Sequence, residues 1–193
     1  MKYLSRYKKE PHIPFQCLIP LPESGTTGNT GLESAFRAIK TTDQSVSANV
    51  LSIITFETIE FDLNNEYDRT STFSPQQDGV YLIIAAVTFE PTDISVNYVT
   101  QALISVNNSF IAGSDNFMGG NSGFLNAVNP STIVQLQAGD VVRISASSSV
   151  AGQFLAVLSH FEATRLPSPA SNPSSPITIS SSKINKQTFD KKL

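Results

Sequence analysis

The sequence is poor in several residue types on which common functions depend. Its 193 residues include one cysteine, two histidines and no tryptophan. A single cysteine, Cys17, excludes an internal disulfide framework, and a free thiol is the simplest interpretation. No set of Cys and His residues has the spacing of a zinc site. No glycine-rich segment is followed by the lysine that a phosphate-binding loop requires.

Long apolar runs are also missing from the sequence. No segment approaches the roughly 20 apolar residues of a membrane-spanning helix, so membrane insertion is not expected. Four of the first nine residues are basic, but the apolar segment 13–21 that follows is short and contains Pro14 and Pro20. This pattern is not typical of a signal peptide.

Basic residues are scarce in the middle of the chain. Between residues 41 and 164 only Arg69 and Arg143 are basic, against twelve acidic residues. An acidic centre excludes nucleic acid as the main partner. The segments on either side, 1–40 and 165–193, are basic, and we interpret their charges as solvated. Contact of these segments with an anionic surface is the alternative.

Proline, glycine and serine divide the chain into three parts. Residues 1–32 are predicted to form an extended arm, which ends in a collagen-like stub with glycine at every third position of residues 25–31. Three glycines cannot hold a triple helix, so a flexible linker is the preferred interpretation. Residues 33–166 are predicted to form the folded domain. Residues 167–193, rich in Ser and Pro and then basic, are predicted to be a disordered tail.

Short β-strand patterns fill the predicted domain, with turns spaced as in a sandwich or barrel. The expected strands are 34–39, 50–56, 70–74, 80–89, 98–106, 109–112, 123–128, 133–137, 141–146 and 153–164. Segment 80–89 is apolar on both faces, which is typical of a central strand. Asn107 and Asn108 predict a hairpin turn, because Asn tolerates the left-handed conformation. A second hairpin is predicted around residues 138–140.

Catalytic constellations are weak in this sequence. Ser159 precedes His160, but no acid partner and no nucleophile elbow accompany the pair. We therefore interpret His160 as a structural strand residue and predict that the protein is not an enzyme.

A group of carboxylates raises the question of a metal site. The group lies within residues 60–68 and consists of Glu60, Asp62, Glu66 and Asp68. Oxygen ligands suit Ca²⁺, but the spacing matches no calcium loop, and a solvated acidic rim is the preferred interpretation. No metal ligand is assigned, and Ca²⁺ at this rim or at Asp140 is the alternative.

An ordered series of motifs extends through the domain. Aromatic, acidic and glycine residues follow one another as Phe56, Asp62, Tyr67, Phe73, Gly79 and Tyr81. The turn Leu136-Gln137-Ala138-Gly139-Asp140-Val141 and the closing segment Ser159-His160-Phe161 come later. The series resembles the globular heads of complement C-one-q and their tumour-necrosis-factor-like relatives over residues 33–166.

This resemblance implies an all-β, ten-stranded jelly-roll β-sandwich that assembles as a homotrimer. Heads of this kind are expected to meet around a three-fold axis through apolar residues of the inner sheet. By position on the matched strands, the candidates for the trimer interface are Tyr81, Phe161, Phe36 and Ile83. The alternative interpretation is that these four are core residues.

The resemblance also suggests two functions. One is a non-enzymatic, homotrimeric surface-display or structural protein, like the collagen-like heads of bacterial spore surfaces (exosporium or coat) or filament tips. Other spore-surface or filament proteins would be its partners, and it would reach the cell or spore surface without a classical signal peptide. The alternative is a receptor- or ligand-binding head of phage or adhesion type. Its expected binding loop is 113–130, with contact residues Asp115, Asn116, Phe117 and Asn121.

Overall fold

A computed structural model of the protein describes residues 33–167, which form two antiparallel β-sheets packed face to face. The arm with its glycine stub, Cys17, and the tail from residue 168 lie outside the described residues. The three-part division therefore stays a prediction. Residues 33–167 contain no helix, and so none that is long and apolar enough to cross a membrane.

The described range contains twelve strands. They are β1 (Ala35–Ile39), β2 (Gln44–Val46), β3 (Ser52–Ile53), β4 (Thr58–Asp62), β5 (Thr72–Phe73), β6 (Gly79–Pro91), β7 (Tyr98–Val106), β8 (Ser109–Met118), β9 (Asn126–Val128), β10 (Ser131–Leu136), β11 (Val142–Ser148) and β12 (Gly152–Arg165). The resemblance implies ten strands. The two strands that the sequence did not predict are β2, which pairs with β12, and β4, which pairs with β1.

The strands divide between a seven-stranded and a five-stranded sheet. The larger sheet has the order β10-β6-β12-β1-β4, with β2 beside β12 and β9 beside β6. The smaller sheet has the order β3-β11-β7-β8, with β5 beside β11. This is the expected all-β jelly-roll sandwich, in which each sheet buries one face against the other.

The segment between β10 and β11 differs from the prediction. These strands do not pair with each other, since β10 pairs with β6 and β11 pairs with β7 in the opposite sheet. The hairpin predicted around residues 138–140 is therefore wrong. Both strands have one apolar face that needs the shared core, and a crossover between the sheets buries both of these faces.

An aromatic cluster fills the core between the sheets. Phe36 stacks on Tyr67 and Phe73 with ring centroids 4.9 and 4.8 Å apart, and Phe161 meets Phe36 edge-on at 4.9 Å. Such pairs add stability beyond the area they bury. Tyr67 and Phe73 of the motif series thus pack together with Phe36 and Phe161 in the core between the sheets.

Candidate functional site

The four residues predicted at a trimer interface lie in the core of a single chain. Tyr81, Ile83 and Phe161 have no exposed area, and Phe36 has 1%. The Tyr81 hydroxyl donates to the Gln77 carbonyl at 2.9 Å. A side chain that its own chain already covers has no area left to bury against a second chain. The structure therefore corrects this assignment, and the four are core residues.

The neighbouring positions on the same strands form an exposed surface, which we call the outward face of the seven-stranded sheet. Leu82 of β6 lies opposite Ile133 of β10 and Thr164 of β12, so the three side chains share one side of the sheet. The apolar members of this face are Val80, Leu82, Ile84, Ile133, Ala35, Ile39 and Phe61. The double-sided apolar character of segment 80–89 was the sequence signal for this surface.

Charged residues lie at the middle of the outward face. Arg37 donates through Nε to the Glu60 carboxylate at 2.6 Å and through Nη1 to Glu162. Partial burial works against the Arg37 charge, but the hydrogen bonds that Arg37 donates to Glu162 and Glu60 hold its pKa above the ordinary value. His160 Nε2 lies 3.9 Å from Glu162 Oε1. Charges of both signs therefore meet within this face.

The residues predicted on a binding loop do not converge. Asp115, Asn116 and Phe117 belong to strand β8, which continues to Met118. Side chains alternate along a strand, so Asp115 and Phe117 point away from the core while Asn116 lies on the opposite side. Asn116 Nδ2 donates to Asn126 Oδ1 at 2.8 Å. The structure corrects the predicted loop, because only Asn121 of the four contact residues lies in a loop.

A glycine inside β8 explains the error. Gly113 lies opposite Leu103 of β7, and a Cβ at Gly113 would come within 2.5 Å of Leu103 Cδ2. Glycine marks this close approach between two strands rather than the start of a loop.

Loops do gather at one end of the sandwich, which we call the loop tip. The loop tip consists of residues 47–51, 92–97, 119–125 and 149–151. Backbone hydrogen bonds hold these loops in place: Asn49 N to Ser148 O, Thr92 N to Ala151 O, and Asn121 N to Ile94 O. Phe124 is 81% exposed and Ile94 63%, and Asp93 is the only charged residue of the four loops. The loop tip is a nearly uncharged surface with several exposed apolar side chains on an acidic domain.

The Ser159–His160 pair has no catalytic geometry. Ser159 is buried, and its Oγ accepts from the backbone N–H of Thr88 at 3.0 Å. His160 Nδ1 lies 3.3 Å from the Leu158 carbonyl oxygen. The serine hydroxyl thus stabilises a strand, while the histidine lies on the outward face, and no nucleophile–base contact forms.

The carboxylates of the expected acidic rim accept hydrogen bonds from groups of their own chain. Asp62 accepts from the backbone of Glu66 and Tyr67 at 3.0 and 2.9 Å. Glu66 is buried and accepts from Ser34 Oγ, so the prediction of a fully solvated rim is wrong for this residue. Asp140 accepts from Gln137 N at 2.8 Å. No three His, Cys, Asp or Glu side chains of residues 33–167 lie close enough together to hold a metal ion.

A cleft of about 480 Å³ opens beside β4. It is lined by Glu57, Thr58, Ile59, Asp62, Asn65, Tyr67 and Arg69. Glu57 already accepts from Thr41 N at 2.8 Å and pairs with the buried Lys40 at 3.7 Å. Desolvation lowers the Lys40 pKa. The charges of the cleft are therefore largely balanced by partners in the chain.

Comparison with known proteins identifies the fold. No family model matches the sequence, and no curated protein matches it. Murine APRIL has a similar structure, with a TM-score of 0.52 and 12% identity over 69% of this chain and 99% of that one. The globular domain of zebrafish complement 1qA gives a TM-score of 0.52 and 13% identity over 69% and 97%. At such low identity the similarity shows a shared jelly-roll fold.

Proposed function

We propose that residues 33–167 form the head of a non-enzymatic, homotrimeric surface-display protein. The observation that carries this proposal is the outward face, where Ile133 is 63% exposed beside Val80 and Leu82. Exposed apolar surface of this kind marks an interaction site. The expectation of a trimer from the motif resemblance, and the tumour-necrosis-factor and complement-head fold of the structural neighbours, support self-association as its use.

Electrostatic repulsion between two copies is reduced at this face. Residues 33–167 carry thirteen acidic and five basic side chains, so two heads repel each other over most of their surface. The repulsion is smaller at the outward face, because Arg37 offsets one of the two negative charges of Glu60 and Glu162. The neighbouring pairs of β6 and β10 on this face are apolar or neutral. Copies that meet there bring fewer unbalanced carboxylates together, because Arg37 pairs with both Glu60 and Glu162.

The test is the solution mass of the full chain, measured by light scattering over a dilution series. Wild type should give three times the chain mass, and Ile133→Asp should give the monomer mass with an unchanged circular dichroism spectrum. Ile94→Asp is a matched control, since Ile94 is also 63% exposed but lies in the loop tip. A wild-type monomer at all concentrations would refute the proposal.

The cellular location of the head is a further part of the proposal. We assign it to a bacterial spore surface or filament tip, because a glycine-triplet stub precedes it in the sequence and resembles the stalks of collagen-like surface proteins. Antibodies raised against residues 33–167 should label intact spores or cells of the source organism without permeabilisation. Labelling that requires permeabilisation would place the protein inside.

A receptor- or ligand-binding head is the second candidate, and the loop tip favours it. Preorganised loops lose little entropy on binding, and an exposed aromatic such as Phe124 is a typical anchor. Phe124→Ser should leave the trimer mass unchanged and abolish adhesion of labelled protein to its target surface. Adhesion that survives this change would remove the loop tip from consideration.

A further inference from the structure

Strand β12 contains a large bulge on the seven-stranded sheet. Leu155 pairs with Thr88 and His160 pairs with Ala86, so residues 156–159 together oppose the single residue Val87. Bulges of this kind re-aim side chains and are retained as features of a fold.

The bulge has a defined shape because both of its ends are anchored. Ser159 O accepts from Lys40 N at 3.0 Å, and Ser159 Oγ accepts from Thr88 N at 3.0 Å. At the other end, Ala156 N donates to Asp43 Oδ1 at 2.7 Å. The chain therefore holds Val157 and Leu158 in fixed positions.

Leu158 adopts a backbone conformation that leucine disfavours. Its φ is 61°, in the left-handed region. Seven non-glycine residues of the described range have positive φ, and five of them are Asn, whose side chain suits this region. The cost for a leucine is about 1–2 kcal/mol. Within one chain, glycine or asparagine would serve this position better.

The Leu158 side chain buries little of its area against its own chain. Leu158 is 70% exposed and Val157 is 49% exposed. Strand β12 lies inside the sheet and its inner side faces the core, so both side chains project from the outward face. A strained and exposed leucine at a well-anchored bulge is a candidate contact residue, since strain persists where function requires it.

We propose that Leu158 packs against a second copy of this chain and is a principal contact of the assembly. The inference rests on the proposed trimer and names a residue that holds it together. A second copy is the favoured occupant because Leu158 shares its face with Ile133 and with the mixed-sign charges around Arg37, where two acidic heads can approach. In a cyclic assembly such a knob fits a different surface on the next subunit.

The experiment compares Leu158→Asn with Leu125→Asn in the full chain. Leu125 is also exposed, at 47%, but lies in the loop tip. Light scattering over a dilution series should show the dissociation constant of the trimer raised about tenfold or more by Leu158→Asn, which corresponds to about 1.4 kcal/mol or more. Leu125→Asn should leave it unchanged.

A second measurement separates contact from folding. In the monomeric Ile133→Asp background, Leu158→Asn should raise the midpoint of urea unfolding, because asparagine relieves the backbone strain. A weaker trimer together with a more stable monomer supports the proposal. If wild type is a trimer and Leu158→Asn leaves that trimer intact, the role of Leu158 alone is overturned. A monomer that Leu158→Asn destabilises in the Ile133→Asp background would overturn this role as well. A wild-type chain that is monomeric throughout would overturn the proposed function itself.

Discussion

At the residue scale, Asp62 fixes the loop that delivers Tyr67 to the core. Its carboxylate accepts from the backbone N–H of Glu66 and Tyr67. Asp62→Ala leaves these donors unpaired, so the free energy of unfolding should fall by about 2–3 kcal/mol. Urea unfolding measures this loss. Asp115→Ala is the control, because Asp115 is exposed on β8. If the free energy of unfolding falls by a similar amount in both variants, the hydrogen bonds that Asp62 accepts do not stabilise the loop.

Glu57 makes the stability of the head depend on pH. Partial burial opposes its ionisation, but hydrogen bonds from Thr41 and Thr55 and the charge of Lys40 hold the pKa of Glu57 at about 2, below the ordinary 4.5. A depressed folded-state pKa contributes stability above the unfolded value, and this stability is lost as pH falls through the folded value. At pH 6 the midpoint of unfolding should be higher for wild type than for Glu57→Gln. The difference between the two midpoints should narrow as pH falls from about 4.5 to 2. A constant gap would show that the charge of Glu57 plays no part.

At the scale of elements, the β7–β8 hairpin depends on its two-residue turn. Asn107 and Asn108 have φ of 50° and 66°, as the sequence predicted for a tight turn. Asn108→Ala should lower the free energy of unfolding by about 1–2 kcal/mol, because alanine disfavours this conformation. Asn108→Gly should be nearly neutral. Thermal melts of the two variants give the comparison, and equal losses would mean that the asparagine side chain matters more than φ.

Local sequence patterns predicted where the strands lie better than they predicted which strands pair with each other. Alternation in β1, the apolar run of β6 and the turn at Asn107 depend on neighbours in the sequence, and the structure confirms all three. The β10–β11 crossover, by contrast, depends on which sheet each strand joins, and a short turn sequence does not encode that choice. The loop predicted to begin at Gly113 was wrong for the same reason. The side chain that occupies the space beside Gly113 belongs to Leu103 of another strand.

The four residues predicted at the interface lie on strands of the outward face, but their side chains point to the core. Tyr81 and Ile83 alternate with Val80 and Leu82, and a strand that is apolar on both faces gives no local signal for the side that meets the core. The bulge at Leu158 was not predicted, because a positive φ is predicted from Gly or Asn in the sequence and not from leucine. Only the pairing of β12 with β6 reveals it.

At the scale of the whole molecule, the ends of the described chain lie together. Arg165 N donates to Ser34 O at 2.9 Å, while the loop tip lies at the other end of β12. In a display protein the segments before residue 33 and after residue 167 would thus attach at one end and present the loop tip outward. The outward face, on the flank of the sandwich, is then free for neighbouring copies.

Net charge opposes the proposed trimer of this acidic head, so we expect the trimer to be sensitive to salt. The Debye length shortens from about 30 Å at 0.01 M to about 10 Å at 0.1 M ionic strength. Screening of the repulsion among three heads should lower the dissociation constant of the trimer over this range, measured by sedimentation of the full chain. The unfolding midpoint of the Ile133→Asp monomer at each salt concentration controls for changes in the fold. A trimer that weakens as salt rises would instead mean that ion pairs between subunits, formed through Arg37, outweigh the repulsion.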